Sequence, residues 1–590
     1  MRPESRLEAR FGPLIADLGV TFRFWAPAAE TVAMVTDRSL PMEARPGGWF
    51  ELAVPTAGVG TRYKFRIDDE IEVPDPASRF QPDDVHGASE VIAPDYHWAA
   101  DTWKGRPWHE CVLLELHVGA LTPQGTFRSI IDRLDHIVDT GFTAIELMPV
   151  ADFSGRWNWG YDGVLPFAPD SAYGRPEDLK TLIDAAHRRG LMVFLDVVYN
   201  HFGPDGNYLG RYAPQFFTKA QTPWGSAIDY RVAEVRAFAI ENALHWLGEY
   251  RFDGLRLDAV HAITEPGEPS VLTELSAAVG ALAAATGRHI HLVLENDDNC
   301  SGLLDPACDP PQGLYRAQWN DDYHHAWHVA LTGETTGYYR DYHNARCYIA
   351  RCLSEGFAYQ GESSAHRNGT QRGEPSTDLP ATAFVNFLQN HDQIGNRARG
   401  ERLSALASPR ALEAALAITL LAPAPPLLFM GEEWGATEPF PFFCDFTGNL
   451  ADAVRQGRRR EFAEAYAFSK DIPDPLSEAT LQLAKIDWQA RDRSPHRERL
   501  DLVRRLLAIR KIVIHPLLPA LVPGKAQAWW NVDLLHAHWR FRDGTTMRLI
   551  ANLGDREAPR PLEAGGVAFW PGAPPAHLSP WSVYGLLEAA

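Results

Sequence analysis

Polar residues follow apolar runs at four places in the chain, and their chemistry indicates what the protein could do. The runs end as Asp196-Val-Val-Tyr-Asn-His201, Gly254-Leu-Arg-Leu-Asp258-Ala-Val-His261, Leu292-Val-Leu-Glu295 and Gln389-Asn-His-Asp392. On a strand, Arg256 and Asp258 are two residues apart and face the same way. A single Asp at a strand end is more often a turn former or a helix cap. Four such ends together are hard to explain by stability alone.

Asp258 and Glu295 are the residue types needed to break a glycosidic bond with retention of configuration. That reaction uses a carboxylate nucleophile and a carboxylic acid about 5–5.5 Å from it. Arg256 beside Asp258 would favour the ionised form of the nucleophile. The apolar run before Glu295 would raise the pKa of that carboxyl, as a general acid requires.

Other polar residues could contact the sugar. Asp392 could stabilise positive charge on the sugar ring or bind its hydroxyls, and His201 and His391 could donate hydrogen bonds to hydroxyls. His261 is ambiguous and could support a neighbouring residue. The stretch Asn320-Asp321-Asp322 follows a predicted strand and is rich in hydrogen-bonding groups, which makes it a candidate for the substrate site or, equally, a solvated loop.

Alternating strands and helices would position these residues. Apolar runs predict strands at 111–118, 144–150, 191–198, 254–260, 291–295, 316–319, 383–389 and 426–430. Helical periodicity, with Pro at starts and Gly at ends, predicts helices at 127–140, 176–189, 235–250, 270–286 and 409–421. Eight strands in such alternation predict an α/β fold, a closed (β/α)8 TIM barrel. Barrel enzymes build their sites at the carboxyl ends of the strands, where these polar residues lie.

The flanking regions predict additional domains. Residues 1–105 show period-two alternation typical of a β-sandwich, which could bind carbohydrate or, as we favour, serve as a packing domain. The barrel is predicted at 106–515, with a short inserted subdomain after strand three at about 202–230. Residues 516–590 return to short alternating strands and predict a C-terminal β domain.

Composition narrows the partners. The net charge of −20 argues against nucleic acid, which binds basic surfaces. No apolar run reads as a membrane span, and the first twelve residues lack the apolar core of a signal peptide. Six scattered cysteines without a CxxC pair predict neither a disulfide framework nor structural zinc. These features predict a cytoplasmic setting.

The four polar motifs, in this order and spacing, resemble the signature regions of the α-amylase superfamily, glycoside hydrolase family 13, across about residues 105–515. The resemblance implies an α-glucan substrate, and we expect no cofactor and no metal ion in the catalytic site. It implies Asp258 as nucleophile, Glu295 as general acid/base and Asp392 as transition-state stabiliser. It also implies that Tyr161 stacks under the sugar being cleaved and that the residues holding this sugar include Arg256, His201, His391 and Gln393.

Five further stretches resemble one hydrolase subgroup of that superfamily: 22–27, 156–164, 319–325, 387–396 and 441–446. Members of this subgroup cut the α-1,4 bond next to a terminal trehalose unit and release trehalose from a maltooligosyl chain. The tail Asn296-Asp297-Asp298 after Glu295 does not match one subgroup.

Three other functions stay open. A glycogen branching enzyme would use the same retaining machinery, with a sugar hydroxyl instead of water attacking the intermediate. A metal-dependent barrel hydrolase could use the strand-end His and Asp residues, although Arg256 beside Asp258 disfavours a metal ion. A non-catalytic sugar-binding protein fits the complete carboxylate set poorly. A structural cation in the insertion, with Asp205 and Asn207 as weak candidate ligands, also stays open.

Overall fold

The N-terminal part of the chain forms two facing antiparallel sheets in the computed structural model, which describes residues 10–589 except 17, 223–224, 264–269, 308, 310, 463–471 and 562–565. The strands of the first sheet are Leu14–Ala16, Gly19–Trp25, Trp49–Val54 and Glu43–Arg45; those of the second are Ser39–Pro41, Val32–Val35, Arg62–Ile67, Ile71–Val73 and Ser89–Glu90. Phe22 meets Tyr63 and Phe24 meets Phe65 between the sheets, with ring centroids 4.7 and 4.3 Å apart. The predicted β-sandwich is therefore confirmed. The N-terminal residues that bear on a signal peptide lie largely outside the described part.

Eight parallel strands form the barrel. In chain order they are β1 Leu113–Leu116, β2 Ala144–Leu147, β3 Met192–Val197, β4 Gly254–Leu257, β5 His291–Leu294, β6 Ala317–Trp319, β7 Phe384–Val385 and β8 Leu427–Phe429. Each of the eight predicted runs contains one of them. Seven of the predicted runs continue one to four residues beyond the end of the strand, whereas the run 316–319 ends with its strand at Trp319.

The ring closes between β7 and β8 through one isolated bridge. Asn386 pairs with Pro426, and the bonds Asn386 N–H to Pro425 O (3.0 Å) and Leu427 N–H to Asn386 O (2.9 Å) join the two strands. With β8 also paired to β1, every barrel strand has a neighbour on both sides. The TIM barrel predicted from the sequence is confirmed.

Helices cover the outside of the barrel. After β2, β3, β4 and β6 the main helices are Pro176–His187, Ala233–Gly248, Val271–Thr286, Asp321–Thr332 and Ala345–Glu355; after β7 and β8 they are Pro409–Leu421, Gly448–Glu461, Glu478–Ala484 and His496–Ile509. The predicted single helix 127–140 was wrong. It is two helices, Phe127–Ile131 and Leu134–Thr140, because Arg133 N–H bonds to Ile130 O in a tight turn that interrupts the ladder.

The other two predicted elements are also present. The insertion after β3 carries a short helix, Leu209–Tyr212, and a hairpin, Phe217–Thr222 with Gly225–Ile228. Its aromatic residues pack on the N-terminal sandwich, since Tyr212 lies 4.7 Å from Phe24 and Phe216 lies 5.5 Å from Trp25. The C-terminal sheet has the strands Gln527–Asn531, Leu534–Arg540, Thr546–Asn552, Ser582–Glu588 and Val567–Trp570.

Gly254 allows β4 to pack between its neighbours. A Cβ at this position would lie 2.2 Å from the Phe194 ring and 2.6 Å from His291 O, and Phe194 cannot retreat because it stacks on His291 at 6.1 Å. We expect Gly254→Ala to lower the free energy of unfolding by about 2 kcal/mol or more, as overpacking of a core does.

Chemical denaturation would measure this change against Gly457→Ala. Gly457 lies in the helix Gly448–Glu461, and a Cβ there meets no atom within 4 Å. The control should be neutral or stabilising by about 0.5–1 kcal/mol. Equal stability of the two variants would contradict the packing argument.

No helix in the described part of the chain is long and apolar enough to cross a membrane.

Candidate active site

The three predicted carboxylates come together at the carboxyl ends of the barrel strands. Asp258 follows β4 directly, Glu295 follows β5 directly, and Asp392 lies in the short helix His391–Gly395 after β7. Their side chains are 13, 16 and 37 % exposed, respectively. They are therefore open enough to meet a ligand and buried enough for their charges to interact strongly.

Arg256 contacts two of the predicted carboxylates, Asp258 and Glu295, and also a further carboxylate on β3, Asp196. Its Nη1 donates to Asp258 Oδ1 at 2.7 Å and to the two carboxylate oxygens of Asp196 at 2.7 and 2.9 Å, and its Nη2 lies 3.3 Å from Glu295 Oε2. The ladder explains the arrangement, since Asp196 pairs directly with Arg256 between β3 and β4. The guanidinium is fully buried and lies 4.1 Å above the ring of Trp319. One rigid cation thus sets the positions of Asp258 and Glu295.

Glu295 has the environment of a general acid. Burial raises the pKa of its carboxyl well above the usual value, and the nearby Asp258 and Asp392 add to the rise, although Arg256 opposes it. Its Oε2 accepts a hydrogen bond of 2.6 Å from Ala259 N–H. Ala259 has a φ of +41°, an uncommon conformation for a residue with a Cβ, and this turn aims the amide at Glu295. The rise agrees with the direction expected from the apolar run before Glu295.

Asp392 is kept ionised by a charged histidine. Burial alone would lower the pKa of His391, but Asp392 and Glu115 on either side raise it well above its usual range. His391 Nδ1 lies 2.5 Å from Glu115 Oε1, and its Nε2 lies 3.4 Å from Asp392 Oδ1. Burial would raise the pKa of Asp392, yet the charge on His391 lowers it. The pKa values of Glu295 and Asp392 are therefore shifted in opposite directions. Such a pattern suits Glu295 to act as a protonated acid and Asp392 to act as an ionised carboxylate.

An aromatic residue lies beside these groups. Tyr161 donates from its hydroxyl to Asp196 Oδ2 at 2.6 Å, and its ring stacks on His391 with centroids 5.1 Å apart and planes at 21°. His201 Nε2 bonds to the carbonyl of Tyr161 at 2.9 Å. Asn200 Nδ2 donates to Asp258 Oδ2 at 2.8 Å. Tyr161 is thus held in place by contacts from the ends of β3 and β7.

Of the remaining predicted residues, Gln393, Asp321 and His261 lie at the site, whereas Asn320 and Asp322 do not. Gln393 lies in the site, with its Nε2 donating to Asp321 Oδ1 at 3.2 Å. Burial, together with the charges of Asp297 and Asp392, raises the pKa of Asp321 to about 7. His261 follows Asp258, and its Nδ1 accepts from Asp297 N–H at 3.4 Å.

Asn320 and Asp322 are not brought to the open site. Both are 0 % exposed. Asn320 donates to Gly356 O and Asn386 Oδ1 at 3.1 and 2.9 Å, whereas Asp322 accepts from Arg372 and two backbone amides. Because Asn320 is held through its Nδ2 and Asp322 through its carboxylate, both inside the protein, these side chains support the fold. We therefore no longer place them against substrate.

Three residues of the site had no assigned role in the sequence. Asp196 and Asn200 stand inside a recognised motif, and their contacts with Arg256 and Asp258 become visible only in the structure. Glu115 was missed altogether. Its only signal is a single charge in the apolar run Leu113-Leu-Glu-Leu116, and its partner His391 is 276 positions away.

The contacts of the candidate ligands give little support for a bound cation. Asp205 Oδ2 accepts from Ser154 Oγ at 2.6 Å, and Asn207 Oδ1 accepts from Leu209 N–H at 3.1 Å, so both weak candidate ligands already have partners. Within the described ranges, no group of three or more His, Cys, Asp or Glu side chains is arranged to hold a metal ion. At the strand ends, Arg256 contacts the carboxylate oxygens that a catalytic metal would need.

Three regions of the chain match known protein families. Residues 10–80 match carbohydrate-binding module 48 (isoamylase N-terminal domain), residues 78–214 match the α-amylase catalytic domain, and residues 524–584 match a domain of unknown function, DUF3459. These matches fall on the sandwich, the first part of the barrel and the C-terminal sheet.

Curated relatives extend the likeness over most of the chain. It is 43 % identical to the malto-oligosyltrehalose trehalohydrolase of Deinococcus radiodurans, covering 86 % of this chain and 83 % of that protein. It is 39 % identical to the enzyme of the same name from Saccharolobus solfataricus, covering 85 % and 87 %. A 1,4-α-glucan branching enzyme of Streptomyces coelicolor is 36 % identical over only 41 % of this chain and 36 % of its own length.

Solved structures agree. A crystal structure from Salmonella typhimurium, provisionally assigned as an α-amylase, has a TM-score of 0.94 at 43 % identity and covers 98 % of this chain and 99 % of its own. A pullulanase from Paenibacillus barengoltzii reaches a TM-score of 0.73 at 19 % identity, covering 98 % of this chain and 95 % of its own, and shows the shared fold alone.

Proposed function

Since the chain belongs to the malto-oligosyltrehalose trehalohydrolase family of the α-amylase superfamily, we propose that it is a retaining glycoside hydrolase that releases trehalose. Its substrate is maltooligosyltrehalose, and it cleaves the α-1,4 bond next to the terminal trehalose unit. The observation that carries the reaction type is the pairing of Asp258 and Glu295 on one buried guanidinium, with opposite pKa shifts on Glu295 and Asp392.

In the first step the Asp258 carboxylate attacks the anomeric carbon, and Glu295 donates its proton to the glycosidic oxygen. The C–O bond breaks, trehalose leaves, and the maltooligosyl chain is bound to Asp258 through an ester. In the second step Glu295, now a carboxylate, takes a proton from water as the water attacks the same carbon. The ester bond breaks, Glu295 is protonated again, and the configuration is retained.

The neighbouring residues stabilise the positive charge that develops on the sugar ring in the transition state of each step, and they position the sugar. Asp392, ionised beside His391, lies where it can stabilise positive charge on the ring. Tyr161 supports the reacting sugar with its ring, and Arg256, His201, His391 and Gln393 hold the sugar or the carboxylates around it. Such groups, fixed before substrate arrives, need no reorganisation during the reaction.

A branching enzyme is the second candidate, because it would pass through the same ester before a sugar hydroxyl replaces water. The partial coverage of the branching-enzyme relative, against more than four fifths for the trehalohydrolases, favours hydrolysis.

Product analysis tests the proposal. We expect incubation with maltooligosyltrehalose to yield trehalose and a maltooligosaccharide shortened by the two released glucose units, at a rate well above that with plain maltooligosaccharide. Asp258→Asn, processed in parallel, should yield neither product. New α-1,6 branches in amylose, without trehalose release, would overturn the hydrolase and establish the transferase.

We also propose the domain limits 1–105, 106–515 and 516–590, and a cytoplasmic setting. The limits are supported by the gaps between the sandwich strand Ser89–Glu90 and the barrel strand Leu113–Leu116, and between the helix His496–Ile509 and the C-terminal strand Gln527–Asn531. The five described cysteines (Cys111, Cys300, Cys347, Cys352 and Cys444) are unpaired, which suits a reducing compartment.

A further inference from the structure

The tail after Glu295, Asn296-Asp297-Asp298, is held by two arginines from a hairpin. The hairpin consists of Glu362–Ser363 and Gln371–Arg372 with the turn between them, and we call residues 362–372 the arginine hairpin. Arg367 donates to Asp297 Oδ2 at 2.5 Å and to Asp298 Oδ1 at 2.6 Å. Arg372 donates to Asp297 Oδ1 at 2.9 Å. The carboxylate of Asp297 is therefore fixed on both oxygens.

The two arginines have different surroundings. Arg372 is 4 % exposed and also binds Asp322 and the hydroxyl of Tyr342, each at 2.7 Å, so it anchors the hairpin in the core. Arg367 is 25 % exposed and Asp297 is 46 % exposed. An ion pair this open to solvent contributes only about 0.2–1 kcal/mol to stability. Stability alone therefore gives a weak reason for the second arginine, Arg367, since the buried Arg372 already holds the other oxygen of Asp297.

The position of Asp297 relates it to the leaving group. It stands two residues after Glu295, the acid that protonates the departing oxygen, and its backbone N–H contacts His261 beyond Asp258. The charge of Asp297 contributes to the raised pKa of Asp321, which in turn is bonded to Gln393 next to Asp392. These contacts run along the side of the site that carries Glu295.

We propose that Arg367 and Asp297 form the subsite for the second glucose of the departing trehalose and thereby determine specificity for it. This inference rests on the proposed function. Trehalose joins its rings through both anomeric carbons, so its second ring is attached through C1, whereas the second ring of maltose is attached through C4; the second ring therefore has a different orientation and presents a different set of hydroxyls. A fixed carboxylate accepts from neighbouring hydroxyls, and a planar guanidinium donates to them. Polar groups fixed in this way discriminate strongly between ligands that do and do not satisfy them.

Arg367→Gln tests the subsite. We expect kcat/KM on maltooligosyltrehalose to fall by roughly 10- to 100-fold, mostly through KM, with a change of less than about threefold on a maltooligosaccharide of equal glucose count. Inhibition by added trehalose should weaken by roughly tenfold or more. Arg367→Lys keeps the charge but cannot span Asp297 and Asp298 at once, and it should show an intermediate loss.

Glu362→Gln is the matched control, because Glu362 lies in the same hairpin and pairs with Arg351 instead of the tail after Glu295. It should leave both substrates and trehalose inhibition unchanged. An equal loss on both substrates in Arg367→Gln would assign Arg367 a purely structural role and overturn the inference. So would an unchanged trehalose affinity in folded Arg367→Lys, measured by calorimetry. If the wild-type protein released no trehalose, the proposed function itself would fail, which is a distinct result.

Discussion

Replacing Asp258 by alanine is expected to reduce kcat on maltooligosyltrehalose by about 10⁴-fold or more, because the covalent intermediate can no longer form. The fold should survive, since Arg256 keeps both of its bonds to Asp196. Asn200 and Arg256 each lose only one partner.

Azide gives this prediction a stereochemical readout. With the carboxylate removed, azide can enter from its side of an activated α-glucosyl substrate and yield the β-glucosyl azide, the inverted product. Asp492→Ala, at a side chain 72 % exposed, should retain wild-type activity. Wild-type-like turnover in Asp258→Ala, or an α-azide as product, would exclude Asp258 as the nucleophile.

Glu295→Gln is expected to lower kcat/KM on the natural substrate by about 10²–10⁴-fold, the usual contribution of general acid catalysis. The loss should be much smaller in the first step with α-glucosyl fluoride, because fluoride leaves without a proton. Azide should then intercept the ester on Asp258 and give the α-glucosyl azide, the anomer opposite to that from Asp258→Ala.

The pH dependence follows from the direction of the Glu295 shift. Glu295 acts in the first step as the protonated acid, and burial with two neighbouring carboxylates raises its pKa. It therefore stays protonated as the pH rises past the usual range of a glutamate, and activity is lost only as the pH passes through the raised value. The alkaline limb of the kcat/KM profile should report Glu295 and should be absent in Glu295→Gln. An alkaline limb unchanged in that variant would assign it to another group.

The barrel could be predicted from the sequence because its strands are buried on both faces. The continuous apolar runs around Ile145, Val193 and Leu292 could hardly be anything but interior strands. The tight turn at Arg133 could not be found in this way, since the helical periodicity continues across it.

In the site, the main carboxylates could be predicted from the sequence, whereas the contacts that shift their pKa values and fix their positions could not. Asp258 and Glu295 each end a recognisable run, whereas Glu115 and Arg367 act on residues far away along the chain. The burial of Asn320 and Asp322 was equally hidden, because the hydrogen-bonding groups of a solvated site and of a buried network look alike in sequence. Only their distant partners, Asn386 and Arg372, distinguish the two cases.

On heating, the protein should lose its activity at a lower temperature than the one at which the whole chain unfolds. The strand β7 has two residues, and in the described part of the chain its pairing with β8 consists of the single bridge between Asn386 and Pro426. Breaking those few bonds is a local event that leaves the other strands paired. It would nevertheless leave the segment leading to Asp392 dependent on the bonds of His391 to Glu115 for its position relative to Asp258 and Glu295. The shortest strand pairing of the barrel thus lies directly before the segment that brings Asp392 to the other catalytic groups.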